Sequence, residues 1–129
     1  MEFRDLKKQY ELYKSEIDQE INRVLTAGTF IGGEPVLELE KQLAQYVGRK
    51  FCVSCANGTD ALQLALMCWN IGPGDAVFVP DFTFFSTAET VAMVGATPVM
   101  VDICEDTFNI SPDMLESAIC KTMKEGKLV

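Results

Sequence analysis

The chain has 129 residues, of which 48% are hydrophobic and 23% charged, and it carries a formal net charge of −8. That balance fits one globular domain with a core and excludes a disordered chain, while an acidic surface without a basic cluster excludes an electrostatic footprint for nucleic acid or an anionic membrane. The absence of histidine removes His-based triads, His general bases and His-containing metal sites.

Phe3, Leu6, Tyr10, Tyr13, Ile17, Ile21 and Val24 recur at three- and four-residue steps, which predicts an amphipathic helix ending near Ala27-Gly28, with this stripe as its packing face. The glycine-marked loop Gly28-Thr29-Phe30-Ile31-Gly32-Gly33-Glu34-Pro35 follows and exposes Phe30 and Ile31. Apolar residues so placed rest on a neighbouring subunit or a ligand, or fold back on their own domain. Val36, Leu39, Leu43 and Tyr46/Val47 predict a second amphipathic helix stopped by Gly48.

From Phe51 onward short apolar runs alternate with helical stretches. Strands are expected near 51–55, 76–79 and 97–101, with helices near 60–70, 84–94 and 112–124. Ile71-Gly72-Pro73-Gly74-Asp75 and Gly95-Ala96 are turns, and Ser111-Pro112 reads as N-cap followed by the first helical position. Apolar strands separated by crossover helices predict a mostly parallel sheet covered on both faces. The five cysteines sit in apolar segments and read as buried free thiols of a reducing compartment; the Cys52/Cys55 pair lacks the second ligand pair of a zinc site and the helix N-terminus of a redox pair. With no signal-peptide pattern at Met1-Glu2-Phe3-Arg4-Asp5 and no membrane-length apolar run, the cytoplasm is the expected location.

The most informative stretch runs from Phe51 to Leu62, an apolar segment that breaks at Asn57-Gly58 and restarts as a helix. Such a turn aims unpaired N–H groups and the positive end of a helix dipole at one point, which suits a phosphate. Thr59 can add a hydroxyl, and Gly58 permits close approach of the main chain. The plain alternative is an ordinary turn with Thr59 as N-cap. Val79 to Thr87 crowds aromatics and hydroxyls into the start of a helix, either to close a core or to set a ring against a flat ligand. Asp102, at a strand end, reads as the cap of the next turn.

Taken in order, Gly28-Thr29-Phe30-Ile31-Gly32-Gly33, Leu39-Glu40, Asn57-Gly58-Thr59-Asp60-Ala61-Leu62, Ile71-Gly72-Pro73-Gly74-Asp75, Thr83-Phe84 with Ser86-Thr87, and Gly95-Ala96-Thr97-Pro98-Val99 closely resemble the DegT/DnrJ/StrS family of pyridoxal-phosphate (PLP) sugar aminotransferases, from about Phe3 to Ile119. The resemblance implies α/β architecture: the N-terminal part of the type I PLP aminotransferase fold, a mostly parallel sheet with crossover helices preceded by two helices. It implies that 1–129 is an incomplete PLP-binding domain, with helices and glycine loop over 1–50 and alternating strands and helices over 51–129. It further implies a homodimer acting on a nucleotide-linked keto-sugar for surface polysaccharide, with glutamate as a common amino donor. Carried over by position, Gly58, Thr59 and Asp60 would bind the PLP phosphate, Phe84 would stack on the pyridine ring, and Phe30 and Ile31 would approach the sugar-nucleotide side.

The family's chemistry needs a Schiff-base lysine and an acid at the pyridine nitrogen, and the resemblance places both beyond the motifs of this chain. Lys50 precedes the first expected strand, at the wrong end of the sheet; Lys121, Lys124 and Lys127 lie on a polar helix end; Lys7, Lys8, Lys14 and Lys41 occupy solvent faces. No catalytic residue is therefore assigned, and the expectation is a truncated aminotransferase, inactive by itself. The competing expectation is a non-catalytic module that grips a phosphate or nucleotide sugar. A receiver of flavodoxin type matches in length but wants an acidic pair where Cys55-Ala56 stands.

Overall fold

A computed structural model describes residues 3–124. The chain divides between Ser54 and Cys55 into two compact units.

The first unit holds α1 (Leu6–Ala27) and α2 (Glu34–Tyr46). The Asp5 side chain caps α1 by accepting the Lys8 N–H at 2.9 Å, and Gly28, at φ 67°, ends it in the left-handed region where a Cβ would be strained. α2 begins two residues before the expected Val36, with Pro35 in its first turn, where the missing N–H is no loss. It closes through the Arg49 N–H donating to Ala44 O at 2.8 Å and the Gly48 N–H to Gln45 O at 3.1 Å. Phe3 precedes the helix, α1 carries the rest of the expected apolar stripe from Leu6 to Val24, and none of these residues is buried.

Residues 51–55 form no strand. A strand exists through a hydrogen-bonded neighbour, and among the described residues none pairs with this segment. The Ser54 N–H goes instead to a side chain, donating to Glu40 Oε1 at 2.8 Å, while the Ser54 hydroxyl donates to the same oxygen at 2.7 Å. Those two bonds hold the Glu40 carboxyl below its usual range.

The second unit contains α3 (Gly58–Cys68), β1 (Ala76–Pro80), α4 (Ser86–Met93), β2 (Thr97–Val101) and α5 (Pro112–Lys124). β1 and β2 pair in parallel, Ala76 opposite Thr97 through Pro80 opposite Val101, with α4 as crossover. Val79, Val91 and Ala96 are the buried cluster, with Leu66, Ile71, Val77, Ala88 and Val94 packed around it. Because strand side chains alternate, Val77 and Val79 serve this cluster, while Ala76, Thr97 and Val99 share an open hollow of about 390 Å³ with Ala118 and Thr122 of α5. Helices thus cover both faces, as expected. Gly95 joins α4 to β2 at φ 83°, and a Cβ there would stand 3.1 Å from Pro73 Cγ, so geometry and packing both require glycine.

Asp102 behaves as the turn cap expected of it: its side chain accepts the Ile103 N–H at 2.8 Å and its carbonyl the Ser111 N–H at 2.9 Å. The cysteines are free, but none is buried; Cys52 and Cys104 are half-buried and Cys55, Cys68 and Cys120 exposed. Apolar surroundings in sequence do not place a thiol in the core when the segment that carries it, as at 51–55, has no layer on it.

Candidate functional site

α3 starts where it does because Asn57 is extended, at φ −164°, and caps it. Its Oδ1 accepts the Asp60 N–H at 2.9 Å and its carbonyl the Ala61 N–H at 3.2 Å, while its Nδ2 donates to Asp60 Oδ2 at 3.3 Å. The cap is therefore Asn57, not Thr59, and Thr59 lies inside the first helical turn. Two N–H groups remain: those of Gly58 and Thr59 have no acceptor among the described residues, as expected of the first turn of a helix. A Cβ built on Gly58 would meet nothing within 4 Å, and its φ is not left-handed. The chain's own backbone and packing thus do not call for glycine there; close approach of another group would.

α4 begins against α3. Thr87 N–H donates to Phe84 O at 3.0 Å, forming the turn that carries the chain into the helix, and Ser86, its first residue, is buried. Ser86 Oγ stands 2.9 Å from Thr59 Oγ1, a bond between residues 27 apart in sequence. The Thr83 and Thr87 hydroxyls meet at 3.0 Å on the same turn. The structure therefore joins the two expected segments through their hydroxyls, with the positive ends of both helix dipoles in this region.

Phe84 lies two residues before Ser86 and is 77% exposed; Phe85 beside it is 74% exposed. Phe82 instead rests on Phe108, ring centroids 5.5 Å apart. Asp60 has its N–H and its carboxylate engaged by Asn57, which leaves the free donors on Gly58 and Thr59. Phe30 and Ile31 belong to the first unit: Phe30 borders an open apolar hollow with Ile21, Val24, Leu25 and Pro35, and Ile31 is exposed. The lysines 7, 8, 14, 41, 50, 121 and 124 are all exposed, and Lys127 lies outside the described residues. Among the described residues no cluster could hold a metal ion, and no helix is long and apolar enough to cross a membrane. The role of Ser86 is not legible in the sequence: a hydroxyl at a helix start signals a cap, and nothing local shows that it reaches another helix.

The model of the DegT/DnrJ/EryC1/StrS aminotransferase family matches residues 11–125. The chain belongs to that family. It is 53% identical over 124 residues to UDP-2-acetamido-2-deoxy-3-oxo-D-glucuronate aminotransferase of Pseudomonas aeruginosa, an alignment covering 96% of this chain and 34% of that protein. Among solved structures, it superposes on a DegT DnrJ EryC1 StrS aminotransferase from Brucella abortus with a TM-score of 0.93 at 49% identity, over 99% of this chain and 34% of the other. NtdA from Bacillus subtilis, solved with bound cofactor PMP, matches with a TM-score of 0.76 at 34% identity, over 81% of this chain and 24% of that one. The chain spans about a third of the length of the curated relatives it matches. Its α/β architecture, with a parallel pair and crossover helix, is thus that of the N-terminal portion of these aminotransferases.

Proposed function

We propose that this chain is the N-terminal, PLP-binding portion of an aminotransferase that transfers an amino group to a nucleotide-linked keto-sugar, in a cytoplasmic homodimer that supplies polysaccharide or surface-glycan building blocks. In this reading 1–129 is part of one large domain, its first fifty residues forming the helices and glycine loop. Glutamate serves as amino donor. The observation that carries the reading is the pair of free N–H groups of Gly58 and Thr59 at the start of α3, beside the Thr59 hydroxyl, a set of donors that suits a phosphate monoester.

These residues fit the cofactor. Gly58 and Thr59 hold its phosphate, with Asp60 keeping the turn shaped through Asn57, and Phe84 supplies a flat apolar face for its ring. Phe30 and Ile31 lie on the sugar-nucleotide side. PLP supplies an electron sink for amine transfer; the residues here bind and orient it, and the lysine and acid that the chemistry needs belong to the remainder of the family fold. The chain by itself is inactive in this reading. Titrating the full-length protein with PLP and then glutamate tests it: cofactor uptake should give a visible absorbance band that glutamate abolishes, and a folded protein showing neither overturns it.

A second reading is a non-catalytic phosphate or nucleotide-sugar module, in which the free donors at the start of α3 hold an anion and no chemistry follows. It predicts reversible ligand binding without any response to glutamate.

A further inference from the structure

The two hydroxyls that meet between α3 and α4 do not balance as a closed pair. Each has one O–H to donate, and a single bond between them uses only one. Ser86 is 6% exposed, and the Thr59 hydroxyl is its hydroxyl's one partner among the described residues. The buried threonines show the usual alternative, Thr90 donating to the Ser86 carbonyl at 2.9 Å and Thr122 to the Ala118 carbonyl at 2.8 Å, each four residues back on its own helix. Neither Ser86 nor Thr59 bonds back in this way. A buried donor left without an acceptor costs about 1–3 kcal/mol, so the Ser86 proton belongs in the bond to Thr59 Oγ1. The proton left over is then that of Thr59, half-buried beside the free N–H groups of Gly58 and Thr59.

We infer that Ser86 is a positioning residue for the cofactor phosphate: its buried hydroxyl donates to Thr59 Oγ1 and thereby turns the Thr59 O–H outward as a third donor alongside the Gly58 and Thr59 N–H groups. This rests on the reading of α3 as the phosphate site. It assigns Ser86 no contact with the ligand, only the direction of a proton on a residue that makes one. An alanine at 86 would leave the Thr59 hydroxyl free to rotate and to point its proton elsewhere.

The test uses the full-length protein and two ligands that differ only in the phosphate, PLP and pyridoxal, with affinities measured by equilibrium titration. Thr59→Val should weaken PLP about tenfold and Ser86→Ala about three- to fivefold, as expected for losing and misorienting one hydrogen bond to a charged group, with pyridoxal affinity unchanged in both. Added to Thr59→Val, Ser86→Ala should cost PLP binding nothing more. Ser86→Cys, similar in size and a poor donor, gives the same readout if the alanine variant does not fold. Equal weakening of PLP and pyridoxal by either Ser86 substitution, or a further loss of PLP in the Thr59→Val background, overturns the inference and leaves Ser86 a packing residue. Failure of the underlying site looks different: Thr59→Val would then leave the advantage of PLP over pyridoxal intact.

Discussion

The two units of this chain are held by different physics. In the first, α1 has no buried residue and α2 only Ala44, so apart from the Glu40–Ser54 bonds the side-chain order there is local: the Asp5 cap, the ion pair of Lys14 with Asp18, the Tyr10 hydroxyl on Asp18 at 2.7 Å, and Arg23 on Glu20 at 2.8 Å. In the second, Val79, Val91 and Ala96 close a core that joins α3, α4 and the sheet. Exposed pairs contribute little each, and helices in proteins draw most of their stability from a packed face. The contrast teaches that periodicity specifies a face but not what lies on it. It also places the turn proposed to hold a phosphate on the unit that can keep a fixed geometry.

The largest effects should follow the core. Val91→Ala, at a position 1% exposed, removes two methyl groups from the packed cluster and should lower the unfolding free energy by about 2 kcal/mol. Ile21→Ala, at a position 53% exposed, should cost under about 0.5 kcal/mol in the same urea titration of the 129-residue chain. The same Ile21 substitution in the full-length protein sharpens the comparison. A cost there near that of Val91→Ala would identify the α1 stripe as the packing face its spacing implies, whereas a negligible cost would leave it a surface stripe.

The helix caps come next in size and divide the regions more finely. Asp5 and Asn57 each accept an N–H three residues on at 2.9 Å, and replacing either by alanine should cost its helix about 1 kcal/mol. For Asp5 the loss should appear as faster amide exchange confined to the first turns of α1. For Asn57 it should also lower the global midpoint of the second unit, because α3 packs on α4. Equal, purely local responses would show that the core does not couple those helices.

How much of this was legible beforehand follows the same division. The glycine at 28 located the end of α1, while the stripe begins at Phe3, three residues before the helix does, and the parallel pair with its crossover helix follows from two apolar runs and a turn at Gly95-Ala96. The segment at 51–55 misled, since an apolar run marks a strand only when a neighbour completes its hydrogen bonds, and a single sequence does not say whether one is present. At the site, Asn57-Gly58-Thr59 announced a helix start with donors to spare. The N-cap was still misplaced in the plain alternative, because asparagine and threonine are both good caps and backbone extension at 57 decides between them. The Thr59–Ser86 bond, like that between Glu40 and Ser54, joins side chains many residues apart, and no local pattern encodes such a pair.

The smallest effect concerns Glu40, where a carboxylate does for residue 54 what a neighbouring strand would otherwise do. Two donors from Ser54 converge on one oxygen of an ionised group, and since the bonds favour the charged form, its carboxyl titrates below the usual glutamate value of 4.5. A folded-state value lowered in this way contributes stability that is complete above the unfolded value and is lost as pH falls through the lowered one. The interaction should therefore be constant from neutral pH down to about 5 and fade only in more acid solution. The Ser54 amide proton shift reports this directly by NMR, moving with a midpoint below 4.5. Glu40→Gln keeps an acceptor oxygen but not the charge, so it should flatten that titration while leaving the amide partly protected from exchange. Glu40→Ala should remove both. A Ser54 shift that is indifferent to pH in the unsubstituted protein would mean that the carboxylate does not hold this segment, and that the first unit ends in a chain fixed by something other than its own second helix.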